Sequence, residues 1–501
     1  MKCYLYLMDV YPDPKEIRKP IEIEQTFGPR NKPNDVLEFE SMLRHEDHQI
    51  YGEFGFEKSG TIHIARAPGR LDVMGGIADY CGANVFQATI EPAVVAGCQA
   101  RKDRLLKSLT YVTEGSNHYR SFQISLDDFY TNGTLKSYIE AHQLFARNPD
   151  APWAGYVLSS FFVLLKEKKV DAFPHGATVV VRSNIPVGAG MGSSAAIKVA
   201  VLCAINHLYG LNLNAHEIAR LGQIVENQIV GTPRSIAVGI SAASGRKDKV
   251  LSIVCQPDQV LESVPLPPNV KLIGIHSRSK RSTSSLAYID ARTAAFMGLT
   301  ILQKKLKLKE LRENYLCRLS VENFRKKGWK ILPTEMKGKE FLNRYGETVD
   351  NMTRVDAKKS YRIRSRVEHP IYEHARVKKF IAHLKKSNEF PTTTQACLKQ
   401  AGKLMYDSNW SYRSRVGLGS PEVEQIVQSV RKIGISGGLY GARITAGGGG
   451  GTVAVLSYGD VSNSLVQILA AYKIAWGLEA KVFNGSSPGA FEFGHIVLKL
   501  S

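Results

Sequence analysis

From residue 61 onward, short β-branched runs alternate with longer stretches of helical pattern, which predicts layered α+β or α/β units rather than a repeat or an all-β fold. Residues 61–68 (TIHIARAP) read as a strand ending in a turn, and 85–103 as a long strand region broken near Pro92. HGATVVVRS, 175–183, is a further strand, while 194–209 and 215–230 carry the spacing of helices. The proline-rich VPLPPN within 251–271 suggests a boundary. Beyond it come a strand at 271–276, several helices, and a closing succession of strand, Gly-rich turn, strand, helix and strand from Ala442. Residues 1–59 show no clear period and receive no assignment.

Composition narrows the class. With 501 residues, 44% of them hydrophobic, the chain can bury a sizeable core and should divide into more than one folding unit. The opening MKCYLYLMDV is too short an apolar run for a secretory leader, and no segment approaches the roughly 20 apolar residues of a membrane helix. Seven scattered cysteines without a C-x-x-C pair suggest neither a disulfide framework nor a zinc site, and fit a reducing cytoplasm. The net charge of +20 attracts anions, whether nucleic acid, acidic membrane or a phosphorylated small molecule. Its excess gathers in 303–380, in runs such as KKLKLKE and FRKKGWK, and reads as a solvated face. No RNP, KH or zinc-finger signature accompanies it, so the chain does not read as a nucleic-acid-binding protein.

The sharpest local signal is PVGAGMGSSAA, 186–196, between a strand and an apolar helical pattern. Glycines at 188, 190 and 192 let the backbone turn its amides inward, and the following helix adds its positive end, so the loop suits an anion. It is neither G-x-x-x-x-G-K-[ST] nor G-x-G-x-x-G with a ribose-binding acid downstream. Its glycines followed by Ser-Ser-Ala-Ala resemble the phosphate-binding motif of the GHMP kinase family. APGRLDVMGGIADYCGA (67–83) resembles the first signature of that family's galactokinase branch, nearest to its arabinokinase form, and ARITAGGGGGTVAVL (442–456) resembles the third. HPIYEHARVKKF, GLGS and FNGSSPGAFEFGHIVLKL also look like arabinokinase segments, so the resemblance runs from 61 to 500.

The resemblance implies the α+β, two-domain GHMP kinase fold, a ribosomal protein S5 domain 2-like N-terminal domain over 60–255 and a C-terminal α+β domain over 256–501, with a basic insertion at about 303–365. It implies phosphoryl transfer from ATP with Mg²⁺ to a small-molecule sugar hydroxyl, most simply the anomeric one. ATP would lie on Pro186, Gly188, Ala189, Gly190, Met191, Gly192, Ser193, Ser194 and Ala195, and Mg²⁺ on Ser194 and Glu226. Arg70 would stabilise the acceptor oxygen and transferring group, and Asp79 would bind ring hydroxyls; their plainer readings are a surface ion pair and a turn cap. Galactokinases carry Glu-His where this chain has Gly76 and Ile77, and that glutamate meets the hydroxymethyl end of a hexose. Its loss favours a pentose, since an unmatched carboxylate would be a desolvated charge.

Two departures stand out. The family's GxPCGxMDQ reads GTPRSIAVGI here, so the catalytic aspartate position is Val238, with Arg234 nearby. The D-S-x-x-R-H-S segment reads HSRSKRS, with His276 in place of the acid and Arg278, Lys280 and Arg281 on a basic rim. Arg234, Arg278 and Arg281 suggest an anionic acceptor such as a sugar acid or sugar phosphate. His276 is either a replacement base or a structural histidine. Val238 leaves a second reading open, a catalytically impaired regulator that binds ATP and sugar.

Overall fold

The computed structural model describes residues 22–44, 50–112, 118–147, 152–232, 234–256, 258–279, 284–306, 308–446 and 451–501. A nine-stranded sheet runs in the order Ile23–Phe27, His495–Leu500, Gly60–Met74, Asn84–Ala100, Ala177–Ser183, Leu105–Val112, His118–Ser125. Lys249–Cys255 also pairs with Asn84–Ala100 and carries Asp258–Pro265 on its far side. In Ala177–Ser183 the run of valines serves two faces: Val179 and Val181 join a core under helices Gly155–Lys166, Ser193–Leu208 and Ala215–Ile224, whereas Val180 joins the opposite core under helix Asn34–Arg44. A strand buried on both faces has no reason to alternate apolar with polar.

The turn expected after Pro68 is absent. Gly60–Met74 continues as one strand, and the pairing register jumps between Pro68↔Ala93 and Arg70↔Thr89. That jump places Ile90, Glu91 and Pro92 in a bulge of Asn84–Ala100, so the break near Pro92 is a bulge within an otherwise continuous strand. Gly69 is needed there, because a Cβ on it would lie 2.9 Å from the carbonyl oxygen of Met191. The unassigned N-terminal region contributes an edge strand and the helix Asn34–Arg44, whose Val36, Phe39 and Leu43 are fully buried.

The chain passes to a second sheet between Pro265 and Val270. Its four strands run Leu439–Ile444, Thr452–Tyr458, Val270–His276, Lys481–Phe483, all antiparallel. The long helices Ile363–Glu389 and Thr394–Ser411 fill the space between the sheets with Phe380, Leu384, Leu398 and Met405 against Met74, Phe86 and Leu456. The basic insertion is a series of short helical turns, a small two-stranded pairing of Met336–Lys337 with Ser360–Tyr361 and the helix Gly338–Tyr345, pinned by buried Phe324, Leu332 and Phe341. Among the described residues no helix is long and apolar enough to cross a membrane.

Candidate functional site

The phosphate loop leaves strand Ala177–Ser183 and closes on helix Ser193–Leu208. Gly188, Gly190 and Gly192 hold φ of 74, 74 and 84°, a left-handed conformation that glycine takes at little cost. Gly192 is the N-cap and supplies no side-chain cap. The amides of Ser193, Ser194 and Ala195 in the first turn have no intrahelical acceptor and are left for a ligand beside the helix's positive end. The rest of the loop is tied down: Ala189 N donates to Pro186 O (3.5 Å), Arg70 N to Met191 O (2.8 Å), and Thr452 Oγ1 to Ala189 O (2.6 Å).

The stretch expected as a helix over 215–230 is an α-helix only to Ile224, then widens into a π turn, Val225–Val230. That turn brings Glu226 against the foot of the loop helix. Ser194 Oγ donates to both carboxylate oxygens (3.2 and 3.1 Å), and Lys198 Nζ donates to Oε2 and, at 2.8 Å, to Ser194 O. Arg234, about half exposed, sends Nε to within 3.9 Å of Oε1. Burial pushes the Lys198 ammonium below its usual range while Glu226 acts against that shift. Lys198 escaped the sequence reading, although a lysine one turn after Ser194 in the apolar AAIKVAVL was a visible anomaly. Ser194 and Glu226 are thus neighbours, yet the set does not fit a divalent cation. Beside a nucleotide Mg²⁺ is held by one or two carboxylates together with phosphates and waters, and here the one carboxylate already accepts from a hydroxyl and is paired with an ammonium. Among the described residues no group of three or more His, Cys, Asp or Glu could hold a metal.

On the other side of the loop lies Arg70, just past the Gly69 bulge. Its Nη1 donates to Gly190 O at 2.6 Å, while its buried Nε has no hydrogen-bond partner. Burial lowers its pKa, with Asp72 opposing and Arg234 adding to the shift. Val238, on helix Ala237–Ser244, stands at the same point: a Cβ built on Gly192 would lie 2.8 Å from Val238 Cγ1 and 3.6 Å from Arg70 Cγ. Asp79 sits in the 3₁₀ turn Gly76–Cys81, where its Oδ1 accepts from Tyr80 N at 2.7 Å. Burial pushes its carboxyl up to about 6, against a hydrogen bond from Ser235.

The space beside Gly76 is occupied from within. A Cβ there would lie 2.8 Å from Arg443 Nη2 and 3.4 Å from Tyr412 Cε2. Arg443 is fully buried and donates through Nη1 to Asp72 O (3.1 Å), but its Nε and Nη2, like Asp72 Oδ1, have no hydrogen-bond partner. Helix Ile363–Glu389 braces this end through Glu373, which accepts from Gly75 N (3.1 Å), Ser408 Oγ (2.5 Å) and Arg376 Nε (2.7 Å). Burial works to raise the Glu373 carboxyl, but Arg376 and Arg443 outweigh it and hold it at about 2. Asp72, Arg443 and Tyr412 were likewise missed, although Asp72 lies inside the signature 67–83 and Arg443 inside the signature 442–456.

His276 ends the strand Val270–His276. Its Nδ1 faces Gly451 O and Thr452 Oγ1, each at 3.3 Å, and Thr452 in turn holds Ala189. The ring therefore sits at the seam between the second sheet and the phosphate loop. Arg278 is exposed, with φ of 55°, and lies within electrostatic reach of Glu479. Lys280, Arg281 and the central glycines of the third signature, 447–450, lie outside the described residues.

Three family models match the chain: the GHMP kinases N terminal domain over 156–245, the galactokinase galactose-binding signature over 52–100, and the GHMP kinases C terminal domain over 393–474. L-arabinokinase of Arabidopsis thaliana is 34% identical over 503 residues, covering 89% of this chain and 48% of that protein, so the chain spans about half the length of that relative. Galactokinase of Lactococcus lactis, solved with galactose, superposes with a TM-score of 0.68 at 20% identity, over 90% of this chain and 98% of that one. Mevalonate kinase of Methanococcus jannaschii gives 0.52 at 15% identity, over 87% and 98%. At these identities the two structures speak for the fold, and it is the two-domain GHMP kinase fold with mixed helix and strand content.

Proposed function

The chain belongs to the GHMP kinase family, and from that premise we propose that it is an ATP-dependent sugar kinase, acting on a hydroxyl, anomeric by preference, of an arabinose- or galactose-like sugar or its anionic derivative. The observation that supports this is the contact of Arg70 Nη1 with Gly190 O at 2.6 Å, from a guanidinium that is also within electrostatic reach of Asp79. Bound ATP supplies the phosphoryl group. The loop amides and the Ser193–Leu208 helix terminus hold its phosphates. Arg70 spreads the charge that develops between acceptor oxygen and phosphorus, and the ionised Asp79 accepts from the sugar's hydroxyls. Arg234, about half exposed and 3.9 Å from Glu226, pairs in this reading with a carboxylate or phosphate on the acceptor. Arg443 fills the space beside Gly76 where a hexose would carry its hydroxymethyl group, which supports a pentose over a hexose. His276, facing Gly451 O and Thr452 Oγ1, is read as a positioning post for the loop rather than as the base.

Val238 supports a second reading, an ATP- and sugar-binding regulator without turnover. A missing general base costs on the order of 10²- to 10⁴-fold in rate, while phosphoryl transfer depends chiefly on positioning and charge stabilisation. ADP release by the purified full chain with MgATP, across arabinose, galactose, fucose, sugar acids and sugar phosphates, separates the two. Sugar-stimulated turnover is the expected result, with Val238→Asp faster by at least about 10-fold. Binding of both ligands without turnover, and activity only in Val238→Asp, would replace the kinase reading by the regulatory one.

A further inference from the structure

A carboxylate at the edge of a triphosphate site is ordinarily useful because it draws a divalent cation to the phosphates, and a hard cation binds where negative oxygen is in surplus. Here the surplus is gone. Glu226 is 3% exposed and Lys198 2%, and the ammonium lies directly on Oε2, so the pair is neutral before any ligand arrives. Ser194 Oγ donates to both oxygens, and Arg234 stands 3.9 Å from Oε1. Position 238, which faces the same part of the loop beside Gly192 and Arg70, offers a valine methyl group. What remains directed at the loop is cationic: Arg70 through Gly190 O, and Arg234 at the rim.

We propose that this chain takes its nucleoside triphosphate without a protein-held divalent cation, Lys198 serving as the resident counter-charge of Glu226. The inference rests on the reading of the 186–196 loop as a nucleotide site. Arg70, Arg234, the loop amides and the helix terminus supply the positive field that Mg²⁺ would otherwise supply. Without Lys198, Glu226 would be a buried charge free to recruit a metal. With it, Mg²⁺ would have to break a buried ion pair to reach the carboxylate.

The test is calorimetric titration of the full chain with ATP, once in EDTA and once in excess MgCl₂, on the wild type and on Lys198→Met. For the wild type the two dissociation constants should agree within about threefold, and in Lys198→Met, where the carboxylate is released, Mg²⁺ should tighten binding by about tenfold or more. Wild-type binding at least about tenfold tighter with Mg²⁺ than with EDTA would overturn the proposal while leaving the nucleotide site standing. Absence of ATP binding in both buffers would overturn the nucleotide reading itself, and this inference with it. Should Lys198→Met fail to fold, the wild-type pair of titrations still decides.

Discussion

Gly192 combines two demands in one residue, a φ of 84° and close approach to Val238 Cγ1, where a Cβ would sit at 2.8 Å. Gly192→Ala should therefore strain the loop by about 1–3 kcal/mol and weaken ATP binding accordingly, with Val238→Ala recovering part of the loss in a double-mutant cycle. Additive losses would show that the two positions do not touch. Asp79 sets a pH dependence. Its carboxyl is raised from 3.8 to about 6 in the folded chain, so the folded state holds the proton more tightly than the unfolded one. Its contribution to stability therefore falls as pH rises between those values. Sugar binding has the opposite slope, because the ionised carboxylate accepts the hydroxyls. Affinity for the sugar should rise with pH with a midpoint at about 6, and Asp79→Asn should flatten that profile. Arg70, Gly76 and Asp79 were legible from the signature 67–83, because a motif marks positions along a chain. Lys198 and Arg443 were not, because what makes them notable is the residue each meets across the fold.

Among the elements, helix Asn34–Arg44 shows how an unpatterned terminus is held. Asp35 accepts from Arg66 Nε through both oxygens (2.9 and 3.0 Å), both residues are buried, and Arg66 also donates to Glu91 O at 2.8 Å. Asp35→Ala leaves the guanidinium buried and unpaired, which should cost about 3–5 kcal/mol in chemical denaturation. A change under about 1 kcal/mol would mean the helix contributes little to the first sheet. The helix was invisible in the sequence because its buried positions lie in a region with no other periodic signal, and among the described residues the strand before it pairs with the far C-terminus. The continuous strand through Pro68 was misread for a related reason. Pro68-Gly69 is a turn pair by local preference, but the carbonyl of Met191 packs on Gly69 and keeps the strand straight enough to present Arg70.

At the scale of the whole molecule, the strand His495–Leu500 lies between Ile23–Phe27 and Gly60–Met74, so the last residues of the chain complete the sheet that its first part builds. Ile496, Leu498 and Leu500 are buried there with Ile62 and Ile64. A chain ending at Gly494 should lose cooperative thermal unfolding, since it exposes that apolar face and leaves the edge of Gly60–Met74 unpaired. Retention of a sharp transition would show that the first sheet closes without it. The sequence alone determined what depends on backbone preference and local order: the left-handed glycines of 186–196, the helix terminus behind them, the valine strand before them and the valine at 238. The tertiary structure decided what depends on residues distant in the chain: the ammonium of Lys198 on Glu226, the guanidinium of Arg443 in the space beside Gly76, and the closing strand inside the first sheet. Dihedral preferences act within a few residues and so can be read in order, whereas buried charges choose partners by burial and distance, which exist only once the sheets have packed.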